Sequence, residues 1–319
     1  MADAYLAECR SRGRATATLC GYQSALDLYI LPKFGTCEVG TISKSAARGW
    51  FADLLASGKC ADLVNGPIRK LKAVMFYAAT ELEVLDRNPV ARFKPYQAAA
   101  TDRRARRGTF TEAEVQRLIA AARPHERALV GLLCFTGMRP GECAALRWQD
   151  VDLTAGSATI TRSWDWRGKQ FKAPKTAAGV RTVALSGWLV AELAAHQERT
   201  GGGAEALIFA TRSGRPALSP SNTRRDIWLP LVKQAGVNSL DRYGLRHTFA
   251  TIGRVSGAES FNVAKAMGHS KSTLVDAVYA HALPSGMAGL AERVTARALG
   301  LQPQLRVIEG GKTSDLDKR

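Results

Sequence analysis

The segment Thr136-Gly137-Met138-Arg139-Pro140-Gly141-Glu142 sets an arginine directly before a proline that suits the first turn of a helix. A helix N-terminus carries unpaired N–H groups and the positive end of the dipole, so a guanidinium added there suits an oxyanion such as phosphate. The same spacing also lets Arg139 pair with Glu142 at an ordinary surface turn. A second group lies in Leu240-Asp241-Arg242-Tyr243-Gly244-Leu245-Arg246-His247-Thr248-Phe249, where Leu245, Phe249 and Ile252 form an apolar stripe. Tyr243 and Arg246, three apart, share another face and can present a phenol and a guanidinium to one ligand, with His247 off that face. Read alone, this is an amphipathic helix with a surface arginine. A third candidate is His269, which follows Met267-Gly268 at a glycine suited to a helix C-cap. Ser270-Lys271-Ser272-Thr273 can then start a helix running through Tyr279. Residues 259–282 also fit a helix-turn-helix, and a single histidine or tyrosine in such a place equally suits a structural hydrogen bond or packing.

Composition narrows the partner. The chain has 319 residues, 46% of them hydrophobic and 23% charged, which is ordinary globular composition with a length prior of two domains. Lys+Arg 45 against Asp+Glu 28 gives +17, an excess that favours a polyanion through counterion release, nucleic acid first, with solubility charge as the plainer explanation. No apolar stretch is long enough to span a membrane and no basic region followed by an apolar run opens the chain, so neither membrane spanning nor secretion is expected, and a weak attraction to anionic membranes stays as another reading of the charge. Six cysteines form no CxxC pair, and the five histidines show no HxxxH or HExxH spacing. There is also no GxxxxGK loop. The expectation is a reduced cytoplasmic protein that needs no metal and no cofactor.

The elements that must position these residues follow from periodicity. Val64, Ile68, Leu71, Met75 and Ala78 make one helical stripe, with Lys70 and Lys72 off it. Leu19 to Tyr29 repeats the pattern before Pro32 and Gly35 stop it, and Ala46 to Leu55 gives a third run, so the first hundred residues read as helical. Periodicity fails between Pro95 and Thr111, where Arg103, Arg104, Arg106 and Arg107 mark a basic linker that is either solvated or laid along phosphates. A capping box at Thr111-Glu112-Ala113-Glu114 restarts folding, and Arg127 to Phe135 is a helical run halted by Gly137. Ser157–Arg162 and Arg181–Leu185 alternate as strands, with turns at Gly168 and Gly179. Helices are expected at about 187–199, 221–235, 244–256, 259–267, 272–282 and 285–298. The last carries Met287, Leu290, Ala291 and Val294 on one face, suited to a neighbouring protomer or to its own chain. The resulting partition is a helical domain over 1–97, a linker over 98–109, a second domain over 110–299 and a loose tail over 300–319.

The order and content of these pieces resemble the tyrosine recombinase family, the phage-type integrases, over nearly the whole chain. TGMRPGE supplies Arg139, Leu245-Arg246-His247-Thr248 supplies Arg246, Met267-Gly268-His269 supplies His269, and Val278-Tyr279-Ala280-His281 supplies Tyr279. Pro174-Lys175-Thr176, followed by Arg181-Thr182-Val183, matches the segment carrying the family's hairpin lysine, which gives that part to Lys175, with Lys172 and Lys169 as weaker candidates. Leu31-Pro32-Lys33-Phe34-Gly35, Ile42 and Asn88-Pro89-Val90 match the family's helical core-binding domain. Tyr243 stands where the family often has histidine, and a phenol with a reference pKa of about 10 cannot become cationic as imidazole does, although it can hydrogen-bond a phosphate oxygen.

The resemblance implies a mainly α fold with a small antiparallel β-sheet: a helical, SAM-like core-binding domain and a mixed α/β catalytic domain. It implies site-specific recombination of double-stranded DNA through a 3′-phosphotyrosyl intermediate. Tyr279 is then the nucleophile, Arg139, Arg246 and His269 hold the phosphate, and Lys175 protonates the leaving oxygen. It further implies a homo-tetramer on DNA, with accessory DNA-bending or directionality factors as further partners. The Tyr243 position and the segment Tyr279-Ala280-His281-Ala282-Leu283-Pro284 look more like a mobile-element integrase than a resolver of chromosome dimers. The chain starts almost directly with the core-binding domain, so no separate arm-site domain is expected. The competing readings are a type IB topoisomerase, which relaxes DNA without exchanging partners, and a non-catalytic helix-turn-helix regulator.

Overall fold

The structure, a computed structural model, describes residues 1–59, 61–93, 109–174, 179–238, 242–268 and 285–301. The chain divides into two compact units, Met1–Arg106 and Arg107–Arg319.

The first unit is helical. It comprises α1 (Ala2–Ser11), α2 (Thr16–Ala25), a π turn (Leu26–Ile30) leading into α3 (Leu31–Phe34), α4 (Lys44–Ala56) and α5 (Ala61–Thr80). The stripe expected on α5 is its buried face: Val64, Ile68, Leu71 and Met75 meet Leu26, Ile30 and Trp50 in one core. Pro32 does not stop its helix. The π turn before it closes with the Leu31 N–H on the Leu26 carbonyl, and this wider turn admits a proline that lacks an N–H and would crowd the carbonyl four residues back. The helix ends at Phe34, before Gly35.

The second unit is helical around a small sheet. It starts with α6 (Glu112–Ala121), and its Thr111–Glu114 capping box is formed as expected. Next come α7 (Pro124–Phe135) and α8 (Pro140–Ala144). Strands β1 (Val151–Asp152), β2 (Ser157–Ile160) and β5 (Arg181–Ala184) form an antiparallel sheet with Ala158 opposite Val183. Between β2 and β5 the chain inserts a separate hairpin, β3 (Ser163–Asp165) and β4 (Gln170–Lys172), so the turn at Gly168 belongs to that hairpin and the β2 run stops at Ile160. Its cross-strand pair Trp164 and Phe171 stacks edge-on at 4.8 Å, the kind of aromatic contact that holds a three-residue hairpin together.

The remaining helices are α9 (Gly187–Thr200), α10 (Pro220–Asn222), a π turn (Thr223–Trp228), α11 (Leu229–Ala235), α12 (Tyr243–Val255), α13 (Ser260–Met267) and α14 (Ser285–Leu299). Leu245, Phe249 and Ile252 of α12 lie in the core with Phe135, Met138, Val263 and Met267. Helix α14 buries Leu290, Ala291 and Val294 against its own unit, which decides between the two packings its amphipathic face allowed; the Met287 side chain lies outside the described residues. The helix expected at 272–282 and the tail from Gln302 lie outside them as well. Among the described residues no helix is long and apolar enough to cross a membrane.

Candidate active site

The site begins with a turn. After α7, Thr136 donates to the Leu132 carbonyl and accepts the Met138 N–H at 3.2 Å, while Gly137 takes φ +65°. That conformation costs a glycine little, and a Cβ there would come within 2.6 Å of the Phe249 ring. The turn releases Arg139 in an extended conformation as the N-cap of α8. Glu142, at the third helical position, accepts the Arg139 N–H on Oε2 and the Arg139 Nη1 on Oε1, both at 2.9 Å. The Arg139–Glu142 pair allowed by the sequence is therefore formed.

It is not a plain surface pair, because Glu142 is 4% exposed and serves a second arginine. Arg181, at the start of β5 and itself buried, donates through Nη2 to Glu142 Oε2 at 2.8 Å and through Nη1 to Oε1 at 3.2 Å. Burial works to raise the Glu142 pKa, but the hydrogen bonds and charge of Arg181, joined by the backbone and side-chain hydrogen bonds of Arg139, outweigh it and hold the carboxyl below its ordinary range.

Arg246 projects from the first turns of α12 and is only 5% exposed, so it is no surface arginine. Its Nη1 donates to the Gly137 carbonyl and its Nη2 to the Met267 carbonyl at 2.7 Å. Burial, then repulsion from Arg139, pushes its pKa down to about 10, so it stays cationic at neutral pH at an electrostatic cost. Tyr243 opens α12 three residues before Arg246 and is 49% exposed, on the helix face that the spacing gives to both residues.

The groups converge on one helix end. Helix α13 stops at Gly268 in the left-handed conformation, and three successive carbonyls there each accept from a different arginine. Ala266 takes Arg181 Nε at 2.7 Å, Met267 takes Arg246, and Gly268 takes Arg139 Nη2 at 3.5 Å. The negative end of the α13 dipole and the Glu142 carboxylate together offset three guanidiniums that would otherwise repel. The Arg139 side chain remains 39% exposed, so the cluster presents positive charge to solvent at the corner directly before His269.

Of the sequence candidates, the structure thus brings Arg139, Arg246 and Tyr243 together. Lys175, His269 and Tyr279 lie outside the described residues. The alternative lysines sit on the inserted hairpin: Lys172 pairs with Asp165 at 3.3 Å and Lys169 occupies its turn with φ 50°. Sequence reasoning did not select Glu142 or Arg181 as site residues. A signal for Arg181 existed, since it has the same strand parity as Val183 and so faces inward. Among the described residues no group of three or more His, Cys, Asp or Glu side chains is placed to hold a metal ion.

The sequence model of the Phage integrase family matches residues 109–285, more than half of the chain. A XerC-like tyrosine recombinase of Caldanaerobacter subterraneus subsp. tengcongensis is 25% identical over 311 residues, covering 88% of this chain and 78% of that protein. Among solved structures, the Tn1549 transposon integrase in complex with a circular intermediate DNA superposes with a TM-score of 0.72 at 20% identity, covering 91% of this chain and 97% of that one. A lambda integrase tetramer bound to a Holliday junction gives 0.65 at 18% identity, covering 86% and 77%. With the sequence motifs, the fold and the arginine cluster in place, the chain belongs to the phage integrase family and is a site-specific tyrosine recombinase.

Proposed function

We propose that the chain cuts and rejoins double-stranded DNA at specific sites through a 3′-phosphotyrosyl intermediate, with the arginine cluster as its phosphate clamp. The convergence of Arg139 and Arg246 on the carbonyls before His269 carries this reading. Transfer at a phosphodiester needs an in-line nucleophile, stabilisation of the non-bridging oxygens and a proton for the departing oxygen. The Tyr279 phenol gives its proton to solvent as its oxygen attacks phosphorus, and the bond to the 5′ oxygen breaks. Arg139 and Arg246 hold the non-bridging oxygens with His269, Tyr243 adds a hydrogen bond, and Lys175 protonates the 5′ oxygen. Because one ester replaces another, the 5′-hydroxyl of a second strand can reverse the step without ATP. Fixed guanidiniums serve where other phosphoryl-transfer sites use a metal ion, so neither metal nor cofactor is invoked.

The substrate is the recombination site of a mobile element, a reading supported by the segment after Tyr279 and by the likeness to a transposon integrase. The XerC-like relative favours a second reading, a housekeeping recombinase acting on chromosomal sites. Assembly as a homo-tetramer on DNA follows the lambda integrase precedent, and accessory bending or directionality factors complete the set of partners in the nucleoid. The helical domain over 1–97 and the catalytic domain over 110–299 divide the labour of binding and chemistry.

The test uses duplexes tiled across the DNA flanking the coding sequence, each nicked near the exchange position so that cleavage traps the enzyme. Wild type is expected to give a protein–DNA adduct on a denaturing gel, and Tyr279→Phe none. An adduct from Tyr279→Phe means that another residue is the nucleophile. Activity confined to chromosomal sites away from the flanking DNA favours the housekeeping reading.

A further inference from the structure

We infer that Arg181 is a positioning residue of the recombination reaction: by satisfying Glu142 it keeps that carboxylate from claiming Arg139, and by bonding Ala266 it fixes the helix end on which Arg246 and Arg139 rest. This rests on the phosphate-clamp reading above. Glu142 is buried and therefore takes whatever cationic partners it is given. With Arg181 in place, the carboxylate receives two contacts from that fork, at 2.8 and 3.2 Å, and Arg139 binds it through Nη1 and its own backbone N–H. Arg139 Nη2 donates to the Gly268 carbonyl at a loose 3.5 Å, and the Arg139 side chain stays partly exposed.

Charge makes the role testable. Arg139, Arg181, Arg246 and Glu142 sum to +2. Without Arg181 the sum is +1, and Arg139 becomes the main counter-ion of a buried carboxylate. A guanidinium held in that way is turned from the phosphate and offers it less charge. Arg181 does not itself reach the scissile phosphate in this scheme. Its Nε, Nη1 and Nη2 are all bonded to protein, to Ala266, to Gly179 and Glu142, and to Glu142 respectively. Its surroundings also differ from those of Arg139, since its side chain is 6% exposed.

The experiment measures single-turnover adduct formation on the nicked duplex, and DNA affinity by gel shift, for full-length variants. For Arg181→Met we expect cleavage to fall about 100-fold while Kd changes by less than about threefold, because a misplaced group costs rate before it costs affinity. The deciding variant is Arg181→Met with Glu142→Gln, which restores the site to +2 and frees Arg139. It is expected to cleave about tenfold faster than Arg181→Met alone, a coupling of the size that contacting residues show. A purely structural role predicts the reverse, with the second change compounding the first. Arg181→Lys keeps the charge but not the fork that spans Glu142 and Ala266. It is expected to fold, shown by an unchanged melting profile, and to cleave about tenfold slower than wild type, so it decides the matter should Arg181→Met not fold. Full cleavage by Arg181→Lys or Arg181→Met, or no rescue in the double variant, overturns the inference. Arg139→Ala separates the two levels. If it cleaves normally, the clamp reading and this inference both fall; if it is inactive while Arg181→Met is fully active, only this inference does.

Discussion

At the scale of single residues, burial and charge pull against each other and the chemistry uses the tension. Arg246 is a cation in the protein interior whose pKa is pushed down to about 10, and an oxyanion beside it relieves that cost. Arg246→Ala should therefore abolish adduct formation while leaving most DNA affinity, since affinity is spread over many phosphate contacts; gel shift and adduct assays run side by side check this. Glu142 is the opposite case. Its folded pKa lies below the unfolded value of about 4.3, so its stabilising contribution is complete above that pH and is lost as pH falls through the folded value. Denaturant titrations of wild type and Glu142→Gln should accordingly differ by about 2–4 kcal/mol at pH 7, converging as the pH is taken below about 4. Arg139 and Arg246 were legible in the sequence because each stands in a dense local context, a glycine-proline turn and an amphipathic helix. Arg181 was not, because its meaning depends on Glu142 and Ala266, partners far away in the chain that no local pattern reveals.

At the scale of elements, three short pieces matter more than the long helices: the turn at Gly137, the first turns of α12 and the last turn of α13. The Gly137 turn is the tightest, with left-handed backbone and no room for a Cβ against Phe249 and Met267. Gly137→Ala should cost about 2–4 kcal/mol from strain and overpacking together, and should slow cleavage by shifting Arg139 and the carbonyl that holds Arg246; thermal melts and the adduct assay measure the two effects. The amphipathic helices were readable because a 3.6-residue period persists over several turns, and the capping box at Thr111 marked the start of α6. The β3–β4 hairpin was not readable. Its strands are three residues each, too short for a period-two pattern, and the Trp164–Phe171 stack that stabilises it joins residues on opposite sides of the turn. Pro32 misled for a similar reason, since nothing in its neighbours announces the π turn that accommodates it.

At the scale of the whole molecule, the excess of 45 basic over 28 acidic side chains suits a protein whose ligand is a polyanion. Binding should weaken steeply with salt: for 6–10 phosphates contacted, affinity is expected to fall by about 10³–10⁵ between 50 and 200 mM, with log Kd linear in log salt concentration. Neutralising Arg139 should change that slope by at most about one, because the active-site phosphate is one contact among many; a salt titration by fluorescence anisotropy reads it directly. The assembly of the cluster was not legible in the sequence, since it joins α8, β5, α12 and α13. That assembly carries an asymmetry of consequence. Ala266, Met267 and Gly268 are neighbours on one stretch of backbone, so unwinding the final α13 turn would disperse all three arginines at once, whereas losing one arginine removes one of the three contacts made there. Fraying of that one turn, visible by hydrogen exchange over Lys265 to Gly268, should therefore slow adduct formation more than the loss of any one of its three contacts does.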